Sequence, residues 1–247
     1  MPNWVYNSLT VEGNPTMVSL LKDKMNQPFT VPVETHGVGD LTYNVKQVNY
    51  SNPVFAFWNI INPLEQGITA EEYATQPARS ELSPNDPNWW KDTNELRIKD
   101  KSWYSWNITN WGVKWDVAVS DDEKYPETEL VEESENGENL VLVYSFNTAW
   151  GIPDEAMTIL SKQFPTLLFT LKYEEETGWG GEREYLRGYC ISYSEYNWCC
   201  RECGYEEQGE PPYCEDCDFD MCPKCGYGEP NDEDRATCAT HKEEVNA

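Results

Sequence analysis

The stretch LVLVYSFNTAWGIPDEAMTILSKQFPTLLFTLKYEEE, residues 140 to 176, decides the fold. Residues 140 to 150 are dense in aliphatic, β-branched and aromatic side chains and read as a buried strand. A helix follows: Pro153 suits a first-turn position, Asp154 and Glu155 suit the positive helix end, and Met157, Leu160 and Phe164 share one face. Pro165 ends that helix, and LLFTLKYEEE (167 to 176) is the next strand.

Working outward, WVYNSLTV (4 to 11) alternates as a strand, GNPT offers a turn and an N-cap, and MVSLLKDKM is a short amphipathic helix. Residues 26 to 100 are dense in Asn, Pro and Trp without a lasting helical period, and read as an irregular insertion with a short helix around ITAEEYA and a loop at SPNDPNWW (83 to 90). SWYSWNITNWGVKWDVAVS (102 to 120) carries aromatic and β-branched residues near period two, which predicts strands interrupted at a bulge near Gly112. DDEKYPETELVEESENGEN (121 to 139) is an acidic hairpin or loop, GWGGE (178 to 182) a glycine turn, and REYLRGYCISYSEY a further alternating segment. The order β–α, then β–β–α–β with an extra strand, predicts an α+β fold in which two helices pack on one face of an antiparallel sheet. Cysteine placement sets the domain boundary: eight of the nine cysteines lie between Cys199 and Cys238, so residues 1–195 form the α+β domain and 196–247 a small cysteine-rich domain.

Charge is as lopsided as cysteine. Residues 121 to 247 carry 9 Lys/Arg against 31 Asp/Glu, which accounts for most of the net −26. Such a field repels nucleic-acid phosphate and anionic lipid and draws in basic partners, so direct nucleic-acid binding is disfavoured. The start, MPNWVYNSLTVEG, lacks a charged segment followed by a long apolar run, and no stretch reaches a membrane span, so a cytoplasmic location is expected.

MPNWVYNSLTVEG, VFAFWNIINPLEQ, NWGVKWD, FNTAWGIP and the GWGGEREY turn, in this order, resemble the YubB-like family of phage and plasmid proteins over roughly residues 1 to 190. That resemblance implies a ferredoxin-like core and a mobile-element origin, with the host cytoplasm as the compartment. It implies no catalytic residue set.

In a reducing compartment, closely spaced cysteines bind metal more readily than they form disulfides. Cys200/Cys203, Cys214/Cys217, Cys222/Cys225 and Cys238/His241 share one two-residue gap and supply eight ligands, enough for two tetrahedral zinc ions. The pairs either alternate between the ions in a cross-brace or run in series. PPYCEDCDFDMCPKC (211 to 225) resembles the central segment of ZZ-type zinc fingers, a likeness covering about 45 residues that implies the cross-brace. With every position filled by protein, such sites are structural. The same resemblance makes Asp218 and Asp220 candidates for binding peptide N-termini or basic tails, although Arg201 stands where the family places a third acid. Cys190 and Cys199 fall outside the pairing.

Trp103, Trp106, Trp111, Trp115 and Trp150 are sheet-face packing or an aromatic groove, and Trp111, Lys114, Trp115 and Trp150 form the candidate ligand or partner face. Support for catalysis is thin: His36 is the imidazole left over once His241 is assigned to zinc, and no nucleophile elbow, phosphate loop or H-E-x-x-H occurs. The expectation is a noncatalytic acidic binding protein of a phage or mobile element that engages a basic host protein, as a nucleic-acid mimic or an inhibitor of host defence. A zinc-finger reader of basic tails is the alternative, and an enzyme using the tryptophan-rich face ranks third.

Overall fold

The structure, a computed structural model, describes residues 3–36, 43–76, 85–117 and 128–196, with short strands at 198–199, 206–207, 213–214 and 219–220. Strand β1 (Trp4–Gly13) leads into helix α1 (Pro15–Met25), where the Asn14 side chain accepts the Thr16 amide and Pro15 opens the first turn. Strands β2 (Phe29–His36) and β3 (Tyr43–Tyr50) pair antiparallel as a small sheet of their own. A 3-10 turn at Phe57–Asn59 and the helices α2 (Ala70–Ala74), α3 (Trp89–Lys99) and α4 (Trp103–Trp111) follow. The second half runs β4 (Glu129–Asn136), β5 (Asn139–Ala149), α5 (Asp154–Gln163), β6 (Leu168–Glu175), β7 (Gly180–Leu186) and β8 (Tyr189–Tyr196).

The main sheet has six strands in the order β4-β5-β1-β6-β7-β8, antiparallel throughout. Because β1 lies between β5 and β6, the chain crosses over it through α5, which is the split β–α–β of a ferredoxin-like domain. The fold is therefore mixed α+β with an antiparallel sheet and a few helices. None of its described helices is long and apolar enough to cross a membrane.

Period-two burial chooses the covered face. Val5, Leu9 and Val11 of β1, Leu142, Tyr144 and Phe146 of β5, and Phe169, Leu171 and Tyr173 of β6 point inward. Val18, Leu21 and Met25 of α1 and Ala156, Met157 and Leu160 of α5 complete the same core. The 3-10 turn and the residues before it join them: the Phe55 ring stacks on Phe146 with centroids 5.3 Å apart, and Phe57 meets Phe146 edge-on at 5.9 Å. Arg183 fastens α5 to the sheet, with Nη1 2.9 Å from Asp154 and Nη2 2.6 Å from Glu195, while the Tyr185 hydroxyl donates to Asp154 at 2.6 Å.

Three local expectations are corrected. The strands expected over 102–120 are replaced, within the described residues, by helix α4: Trp103, Trp106, Asn107 and Trp111 recur at helical spacing, and Gly112 ends the helix at φ 84° instead of forming a bulge. Its N-terminus is organised by Asp100, whose carboxylate accepts the Ser102 amide at 2.9 Å and the Ser105 hydroxyl at 2.9 Å. The SPNDPNWW loop gives way at Trp89 to α3. In GWGGE, Gly180 and Gly181 belong to strand β7, and REYLRGYCISYSEY supplies two strands, which turn back at Arg187 and Gly188 with φ 57° and 84°. A Cβ on Gly181 would lie 2.2 Å from the Ser194 carbonyl, so its bare backbone lets β7 and β8 approach and the Tyr173 hydroxyl reach Glu195 at 3.0 Å.

Candidate functional site

Two concave surfaces stand out among the described residues. The first is a chamber of about 390 Å³ walled by the β2–β3 sheet, the 3-10 turn, α2 and α4. Trp58, Tyr73, Trp103, Trp111 and Trp115 supply most of its rings, and Glu34 and Asp116 its carboxylates. The rings hold one another: Trp58 meets Tyr73 at 5.5 Å and 74°, and Trp106, behind the wall, meets Trp111 at 5.4 Å and 90°.

Several polar side chains in the wall are paired. The Tyr73 hydroxyl donates to Asn107 at 2.9 Å, Asn107 donates onward to the Lys114 carbonyl at 2.9 Å, and the Trp111 indole N–H donates to the Ile61 carbonyl at 3.1 Å. Burial pushes the Tyr73 phenol well above its ordinary range, so it stays protonated. The Asp116 carboxylate accepts the amides of Phe57, Trp58 and Val117 at 2.7, 3.0 and 2.8 Å. Its residue keeps some exposure, yet desolvation of the carboxylate outweighs those three bonds and raises its pKa to about 6.

The second surface is the sheet face opposite the helices. A groove of about 520 Å³ runs across it, lined by Tyr6, Ser8, Ser145, Glu174, Glu182 and Tyr196 among others. Strand register puts Glu12, Glu129, Glu132, Glu174, Glu182 and Glu184 on this face, against Lys172 as its basic residue among the described strands. Lys172 sits 3.1 Å from Glu182.

Of the four residues expected to form one ligand face, Trp111 and Trp115 meet in the chamber. The Lys114 ammonium stands over the Trp115 ring, 4.4 Å from its centroid, and 5.8 Å from that of Tyr104. Trp150 lies elsewhere, more than half exposed at the end of β5 with φ 74°. Trp103 is in the chamber wall and Trp106 in the core. Sequence reading missed Phe29, Tyr50, Trp58, Tyr73 and Asp116; the aromatic run VFAFWN was the available signal. His36 closes β2 opposite Tyr43, and Cys190 is an exposed thiol whose Sγ donates to the Ser192 carbonyl at 3.3 Å.

Cys200, Cys203, Cys217, Cys222, Cys225, Cys238, His241 and Asp218 lie outside the described residues, and Cys199, Cys214 and Asp220 enter only through their backbone. Strand β9 (Trp198–Cys199) pairs with β10 (Glu206–Glu207), and β11 (Tyr213–Cys214) with β12 (Phe219–Asp220), both antiparallel.

Comparison with known proteins gives three findings. Residues 129–218 match the family described as a ferredoxin-like domain in Api92-like protein, a span from β4 through the first two cysteine pairs. Among solved structures, the chain is similar to protein api92 from Yersinia pseudotuberculosis, at 12% identity and a TM-score of 0.39, covering 80% of this chain and 99% of that one. No curated protein matches the chain.

Proposed function

We propose that the protein is a noncatalytic binding protein of a phage or other mobile element, and that the sheet face opposite its helices engages a basic surface on a host protein. One observation carries the reading: among the described strands, six carboxylates share that face with a single lysine, which is itself held by Glu182. Ferredoxin-like sheets that bind nucleic acid through this face use aromatic stacking and basic charge, whereas here the field opposes phosphate and favours lysine- and arginine-rich surfaces. The groove gives such a partner a concave seat, with Tyr6 and Tyr196 as apolar contacts. Capture of basic host proteins at low salt, their release at high salt, and loss of capture in Glu174→Lys/Glu182→Lys with an unchanged melting curve are the expected results. Undiminished capture by the charge-reversed variant would refute the reading.

The cysteine-rich segment is, in this reading, a structural two-zinc module held by Cys200, Cys203, Cys214, Cys217, Cys222, Cys225, Cys238 and His241. Two strand pairings support it: Cys200 and Cys203 fall in the connection from β9 to β10, and Cys214 and Cys217 at the end of β11 and in its connection to β12. The two-residue gap of a C-x-x-C pair suits two thiolates on one tetrahedral zinc. Zinc bound there supplies cross-links to a segment too short to bury a core of its own.

A further inference from the structure

The aromatic chamber has an electrostatic character of its own. Its described lining includes two carboxylates, Glu34 and Asp116, and no lysine or arginine, while Trp58, Tyr73, Trp103 and Trp115 present rings to the same space. A ring face is negative at its centre, so rings and carboxylates pull in the same direction and select a cation. A plain ammonium or guanidinium keeps its water strongly enough to prefer hydrogen-bond acceptors, and those of the wall already carry protein donors: Glu34 accepts from Gln76 at 2.6 Å, and Asp116 accepts three backbone amides. A wholly neutral apolar guest would cover the carboxylates without compensating their charge. A cation whose charge is spread over methyl groups meets both demands, because it gives up little hydration and presents carbon to the rings. That a cation lies over one of these rings is already visible in Lys114, 4.4 Å from the Trp115 centroid and outside the chamber lining.

We propose that this chamber binds a small quaternary ammonium compound of the choline type, with the cationic head among Trp58, Tyr73, Trp103 and Trp115 and its charge balanced by Glu34 and Asp116. The chamber volume, about 390 Å³, lies at the small end of the range for small-molecule sites. The assignment is independent of the acidic sheet face.

Calorimetric titration of the full chain tests it with choline and with 3,3-dimethylbutan-1-ol, which has the same shape without the charge. Choline should bind, and the neutral alcohol should bind about tenfold more weakly or less, as a desolvated cation–π contact implies. Glu34→Gln and Trp115→Leu should each weaken choline binding about three- to tenfold with unchanged melting curves. Equal affinity for the two compounds, no binding of either, or binding only of a trimethyllysine peptide would each overturn the assignment. Trp115→Leu affinity equal to that of the wild type would do the same.

Discussion

The Asp116 carboxylate and the Phe57 amide, 59 residues apart in sequence, meet at 2.7 Å. With the bonds to Trp58 and Val117, this contact turns one side chain into the N-terminal cap of the 3-10 turn that delivers Phe57 to the core and Trp58 to the chamber. Burial sets its price in protonation. An acid whose pKa is about 6 when folded and 3.8 when free holds its proton more tightly in the folded state, so its contribution is most favourable below pH 3.8 and is lost as pH rises to about 6. Measured by urea unfolding, the wild type should gain about 1 kcal/mol relative to Asp116→Asn between pH 7 and pH 5. Parallel stability curves would show that the carboxylate does not titrate there.

Gly112 ends α4 at φ 84°, and a Cβ at this position would stand 2.1 Å from a carboxylate oxygen of Glu155 and 3.1 Å from the Ile152 carbonyl. Gly112→Ala should therefore cost more than the roughly 1 kcal/mol of a left-handed alanine. Gly137→Ala, at φ 63° with open space around it, isolates the conformational part and should cost less. Equal losses in denaturant titrations would mean that α4 and α5 separate freely.

Phe55 is fully buried between Phe57, Tyr144 and Phe146. Phe55→Ala should destabilise the whole sheet domain by about 3–5 kcal/mol, in one cooperative transition. A separate early transition that leaves the sheet intact would show instead that the 26–100 segment is a detachable appendage.

Chelation should remove about two zinc ions per chain. Amide exchange should then speed up in β9 through β12, while the β1, β5 and β6 amides keep their protection. Loss of protection across the six-stranded sheet would contradict a module whose metal holds only itself.

Much of the sheet domain is legible in the chain because burial on one face imposes a period: Leu142, Tyr144 and Phe146 on β5 and Met157 and Leu160 on α5 repeat at two and at three to four residues. The 102–120 segment was misread because its tryptophans serve two environments at once. Trp106 faces the core, Trp103 the chamber and Trp111 lies between the two, so aromatic density mimics a strand although Ser102 and Gly112 bracket a helix. The chamber was half legible. Trp111 and Trp115 carry a local signature, whereas Phe29, Trp58 and Asp116 reach the site through tertiary contacts that no local pattern encodes.

The central place of β1 has a consequence for how the molecule comes into being. Its partners run from Leu140, opposite Gly13, to Glu175, opposite Val5, so the middle of the sheet stays empty until the chain has been made at least to β6. During synthesis the first strand must wait, with Val5, Leu9 and Val11 uncovered, while well over a hundred residues leave the ribosome. Such long-range closure makes folding slow and exposes the nascent chain to aggregation and chaperone capture.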